Sequence, residues 1–288
     1  MMKWSTTIPD LAQINWRQLI KLVVYVLLLI NFGFYIRDDW SIAQHTLGAG
    51  SAVLDWTSAF ATTIDESAWF ILLLLFELET YVLSDDAFTR GRLILMYGLR
   101  FICYAFLVHT LFAYVKSTYD LSQVTAIKGV SDLCELSDNN LSFTSNLEYT
   151  ELDGKNCSDL SHESNFFLIE PPEFLVVTDD EGLVIEKQLV WVDLLEAIVW
   201  LFILFSIELN VRLQDRGIAT GTIVSGLTYT KILLYGLLWA AAAYWIYRGH
   251  WMFAWDEFVW IAGFTAIEMN MVEWREEINP TDIAGGFK

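Results

Sequence analysis

The chain has 288 residues, a hydrophobic content of 55%, a positive mean hydropathy and a formal net charge of −19. The acidity argues against a nucleic-acid partner, which needs a basic face. The apolar excess points to lipid-facing surface, and so to the bilayer as the main partner.

Six apolar runs are long enough to serve as spans: 18–36, 67–83, 93–115, 190–209, 230–247 and 251–272. Lipid offers no hydrogen bonds, so each run must pair its own backbone and is expected to be a helix. The predicted fold is an all-α polytopic membrane protein with six transmembrane helices. Residues 1–116 carry helices 1–3, residues 189–277 carry helices 4–6, and 278–288 form a polar cytoplasmic tail. The second run has a short apolar core and the sixth contains polar residues, so both are expected to be shielded by neighbours. The first run is too long for a signal-peptide core and has no small-residue cleavage site, so it is read as a retained anchor.

Between the first two spans, segment 40–64 contains the semi-apolar stretch Leu47–Phe60. It reads either as a re-entrant segment or, more simply, as a helix lying on the outer surface. The third span carries Arg100. That residue either snorkels to headgroup water or pairs with Glu77 or Glu79 across the hairpin.

Residues 117–188 form the one long polar insertion, an acidic, β-rich extracytoplasmic domain between helices 3 and 4. Leu141–Leu152, followed by Asp153-Gly154, predicts a strand and a turn. Glu173–Lys187 predicts a β-hairpin around Asp-Asp-Glu-Gly. Cys134 and Cys157 lie in this segment and are expected to form a disulfide, whereas Cys103 lies inside a span. Arg248-Gly249-His250 is so short a link that spans five and six must be an antiparallel hairpin. The bases near span ends are Lys3, Arg17 and Lys21, then Arg90 and Arg92, then Arg212, Arg216 and Lys231. All fall on one side of the six-span topology. This predicts cytoplasmic termini in a plasma or bacterial inner membrane.

One pattern occurs three times, in DESAWFILLLLFELE (Asp65–Glu79), EAIVWLFILFSIELN (Glu196–Asn210) and DEFVWIAGFTAIEMN (Asp256–Asn270). Each copy has an acid four residues before a Trp (Trp69, Trp200, Trp260) and a Glu eight residues after it. The odd spans also resemble one another: LMYGLRF (Leu95–Phe101) parallels LLYGLLW (Leu233–Trp239), with Tyr25 as the counterpart in the first. The predicted unit is therefore a hairpin, repeated three times with pseudo-threefold symmetry about the membrane normal. A homo-oligomer or a subunit of a membrane complex is the expected assembly.

The chemistry then rests on the acids. Asp65, Glu66, Glu196, Asp256 and Glu257 are placed at an outer mouth. Glu77, Glu79, Glu208 and Glu268, with the neutral oxygens of Asn210 and Asn270, are placed along an inner cation pathway. Glu66 and Glu77, like Glu257 and Glu268, are eleven residues apart and share a helix face, which suggests a column of carboxylates. The leading acids sit at helix N-termini, which the helix dipole favours without any function. The trailing acids have no such help. Gathered carboxylates attract a cation that relieves their repulsion, as in acidic selectivity rings. The tryptophans are read as packing or belt residues. No GxSxG, HExxH, P-loop or histidine cluster is present, so no catalytic residue, cofactor or dedicated metal site is expected. The expected function is a cation channel or transporter. The alternative is a non-catalytic membrane subunit or receptor whose outer domain binds a protein.

Overall fold

The computed structural model describes residues 16–79, 89–161, 165–169, 175–218 and 220–278. Most of the turn after the second span, the Pro171-Pro172 pair and almost all of the 278–288 tail lie outside them.

The chain is mostly helical, with one small mixed sheet. The long helices are α1 (Trp16–Thr46), α3 (Ala61–Glu77), α4 (Arg90–Ser122), α6 (Asp180–Asp215), α7 (Thr222–Arg248) and α8 (Trp251–Ile278). Short helices α2 (Val53–Ala59) and α5 (Cys157–Leu160) complete the set. Four helices (α1, α4, α6 and α7) are long and apolar enough to cross a bilayer, which marks this as a membrane protein. The pair α2–α3, bent by 67°, makes a fifth candidate if it is counted as one span. Helix α8 is not apolar enough to be counted, because it carries Asp256, Glu257 and Glu268.

The helices pack in a closed order: α1 on α3, α3 on α4, α4 on α6, α6 on α7, α7 on α8, and α8 back on α1. Inside this ring α8 packs on both α3 and α6, and α3 meets α6 through the rings of Trp69 and Trp200, 5.8 Å apart. The inward residues of these three helices, Leu72, Leu73, Phe76, Ile203, Ile207, Phe264 and Ile267, are fully or almost fully buried. With acyl chains outside, burying apolar groups gives little drive, so close packing of this kind carries the association. The outward faces of α1, α4 and α7 leave Leu22, Ile94, Phe101, Ile232 and Leu233 exposed, a surface matched to lipid.

Several elements differ from the sequence expectation. Helix α1 continues ten residues past Ile36, through Asp38 and Asp39. Its polar end is stabilised by protein, with Thr63 N donating to Asp39 Oδ2 at 2.8 Å. Helix α2 buries none of its side chains.

The Glu173–Lys187 hairpin does not form. Strand β4 (Val176–Asp179) runs straight into α6, and Asp-Asp-Glu-Gly opens that helix. The reason is capping: Asp179 accepts from Gly182 N at 2.7 Å, and Asp180 and Glu181 occupy the dipole-favoured first turn. The true hairpin lies within Leu141–Leu152, where β1 (Ser142–Ser145) and β2 (Glu148–Glu151) turn through Asn146 and Leu147. Both turn residues have positive φ, as a two-residue hairpin turn requires. With β3 (Phe166–Ile169) the sheet order is β2–β1–β4–β3, the central β1–β4 pair being parallel.

Cys134 and Cys157 form the disulfide, joining a short 3-10 helix (Leu133–Asn139) to α5 over Leu133 and Phe143. The bridge closes a loop with a sequence separation of 23. Cys134→Ser/Cys157→Ser is therefore expected to lose about 3 kcal/mol of sheet-domain stability by loop entropy. Thermal unfolding followed through the domain's near-ultraviolet signal measures this. An unchanged transition would mean that the apolar cluster alone holds the domain.

Candidate cation site

The sheet sits over one end of the helix ring. His45 at the end of α1 bonds Ser142 Oγ at 2.8 Å and stacks on Tyr149, while Asn146 Nδ2 donates to the Arg248 carbonyl at 3.0 Å. Leu147 N donates to Glu186 Oε1 at 3.0 Å, which seats the hairpin turn at the mouth of a cavity of about 200 Å³.

All five acids assigned to the outer mouth line this cavity: Asp65, Glu66, Glu196, Asp256 and Glu257. Asp38, Asp39 and Asp193 join them, and among the described residues no Lys, Arg or His lines it. These three were missed by the sequence reading. Asp193 was legible, standing three residues before Glu196 on the same helix face. The α1 acids were not, because they lie beyond the apolar run. His250, in the α7–α8 turn, stacks on Phe253 of the cavity wall. Burial holds its imidazole below the ordinary value, so it adds little positive charge there near neutral pH.

Indole N–H groups hold four of the carboxylates. Trp69 donates to Asp65 (2.9 Å), Trp200 to Glu257 (3.1 Å), Trp260 to Glu66 (3.0 Å) and Trp245 to Glu196 (2.8 Å). Asn31 Nδ2 donates to Asp256 at 2.9 Å. Glu257 Oε2 is buried with no hydrogen-bond partner. The Glu196 carboxyl is its side-chain neighbour, so among the described residues two carboxyl groups meet there with no base between them. Among the described residues no three His, Cys, Asp or Glu side chains converge as a group that could hold a metal ion.

The cavity ends on aromatic rings. Phe264 lies 5.6 Å from Trp69, 5.3 Å from Trp200 and 6.1 Å from Trp260, centroid to centroid. The motif tryptophans are thus core residues and not a lipid belt. Below them α3 packs Leu72, Leu73 and Phe76, so the carboxylates of that helix form two separate groups and no continuous column.

The trailing acids sit beyond this layer, each with a base and a tyrosine. Glu77 accepts from Lys21 Nζ at 2.9 Å and Tyr25 OH at 3.0 Å. Glu268 is paired with Lys231 and accepts from Tyr235 OH at 3.1 Å. Glu208 accepts from Tyr104 OH and lies 3.6 Å from Arg100, which also pairs with Glu79 and lies over the Phe76 ring. Asn210 is buried with Oδ1 unpartnered and lines none of the cavities described here; the side chain of Asn270 lies outside the described residues.

The signal for these clamps was in the sequence: Lys21 and Tyr25, Arg100 and Tyr104, Lys231 and Tyr235 are each four residues apart. That spacing puts base and hydroxyl on one helix face. The likeness of Leu95–Phe101 to Leu233–Trp239 misaligns the helices, because it matches Tyr235 to Tyr97, which is 60% exposed. Tyr104 is the residue in the equivalent environment.

No protein family, no curated protein and no solved structure matches this chain.

Proposed function

We propose that this is a membrane protein that takes up a cation from the sheet-bearing side into the acid-lined cavity and passes it across the bilayer. The observation that carries the reading is that, among the described residues, eight carboxylates and no base line one cavity. Such a wall raises local cation concentration and excludes anions. The trailing acids act here as clamps, since each already has its counter-charge. The aromatic layer and the clamps close the far side, giving a state open to one face only.

In this reading the six long helices all span the bilayer as three hairpins, α1/α3, α4/α6 and α7/α8, repeated about an axis along the membrane normal. The three base–tyrosine–glutamate clamps support the repeat. The sheet domain faces outward and the termini are cytoplasmic. The disulfide, suited to an oxidising compartment, and the bases Lys21, Arg90, Arg212 and Lys231 at the opposite end support that orientation.

The test is cation flux into proteoliposomes under an imposed potential. Glu66→Gln/Asp256→Asn/Glu257→Gln is expected to abolish flux while the protein stays folded. Undiminished flux in that variant would place the route elsewhere. A second reading, a receptor or non-catalytic subunit that binds a cation without moving it, is favoured by the closed aromatic layer. Saturable binding without flux would select it.

A further inference from the structure

The cavity that the proposed function uses also carries information on which cation fits, and this inference rests on that reading. Three features bear on it. First, a bare hard cation needs several oxygens at about 2.0–2.6 Å. Among the described residues no three acids converge as a group that could hold one. The carboxylates are instead spread around the wall, most of them tied to an indole or an amide.

Second, much of the wall is aromatic. Tyr35, Trp69, Trp200, Trp245 and Trp260 all face the space. The four indole N–H groups are all given to carboxylates, so what these rings can offer a ligand is π surface and not a donor. Such faces attract an ammonium through the ring quadrupole and cover a hydrocarbon body. They offer a small, strongly hydrated metal ion no replacement for its water.

Third, among the described residues of the cavity wall the one buried polar atom without a donor is an acceptor. Glu257 is 7% exposed, its Oε1 takes the Trp200 N–H, its Oε2 has no N–H or O–H donor, and the Glu196 carboxyl lies beside it. An N–H donor carried by the ligand would complete it. The volume of about 200 Å³ leaves room for an apolar body beside the charged head.

We propose that the cavity between α1, α3, α6 and α8 binds an organic ammonium ion that keeps at least one N–H, with Glu257 Oε2 as its acceptor and the motif tryptophans around its hydrocarbon part.

Isothermal titration calorimetry of the full chain in nanodiscs tests this with propylammonium, Na⁺ and Ca²⁺ as chlorides. Propylammonium is expected to bind saturably, at least about tenfold more tightly than either metal ion. Glu257→Gln is expected to weaken it at least about tenfold, the smallest effect anticipated for losing a charge-assisted hydrogen bond. Equal or tighter binding of Na⁺ or Ca²⁺ overturns the ammonium assignment and leaves the cation cavity standing. No saturable binding of any of the three overturns both. Propylammonium binding that is unchanged in a folded Glu257→Gln protein overturns the role of that carboxylate. The wild-type ranking alone decides the ligand class, whether or not the variant folds.

Discussion

Arg100→Met is expected to cost about 3–5 kcal/mol, the usual consequence of removing one partner from a buried ion pair. The Arg100 side chain is only 7% exposed and serves two acids, Glu79 and Glu208, at 18% and 12%. Its loss takes a buried counter-charge from Glu79. Glu208 keeps Tyr104 and Arg212, the latter 3.7 Å away on a side chain that is 71% exposed and largely screened by water. The measurement is thermal unfolding of the protein in nanodiscs. The control is Arg100→Met/Glu79→Gln/Glu208→Gln, which removes the two acids the arginine served and is expected to regain most of the stability. If the triple variant is no more stable than the single one, the arginine acts through its packing on Phe76 and not through its charge. The same logic separates the trailing acids from the cavity acids: the former are neutralised at rest, the latter are held mostly by neutral indole and amide donors.

Phe264→Ala is expected to have a comparable effect on stability and a larger one on permeation. Phe264 is fully buried where α3, α6 and α8 meet, against all three motif tryptophans. Deleting such a ring costs about 3–5 kcal/mol through lost contacts and an unfilled cavity. It also removes the centre of the layer that separates the acid-lined cavity from the clamps below. On the proposed transport reading, proteoliposomes carrying the variant are expected to pass more cations, and with less discrimination, than those carrying the wild type. A variant that is merely less stable, with an unchanged ion leak, would make the aromatic layer ordinary core and would weaken the transport reading in favour of a receptor.

Much of this was legible along the chain. The apolar runs announced where the long helices lie, because a backbone in lipid has no alternative to pairing with itself. Gly249, at φ 87°, was visible as the turn between the last two helices. The thrice-repeated acid–Trp–Glu spacing pointed to the helices that meet in the centre. The same spacing did not distinguish acids that face an open cavity from acids that face a base, since both look alike on their own helix. Asp65 and Glu77 lie on one helix, yet one accepts from an indole beside the cavity and the other from Lys21 and Tyr25 of α1.

By itself, then, the sequence determined the helices, their order, the disulfide-bearing insertion and the residue types available to a site. The tertiary structure alone decided the rest. It turned Asp-Asp-Glu-Gly into a helix cap, because the adjacent strand was already paired on both edges by β1 and β3. It brought Asp38 and Asp39 of α1 and Asp193 of α6 to the same cavity as the acids of α3 and α8. The physical reason is that local patterning acts through neighbours a few residues away, whereas a carboxylate's counter-charge comes from whichever helix packs beside it. Here that choice was made by the ring order of the helices.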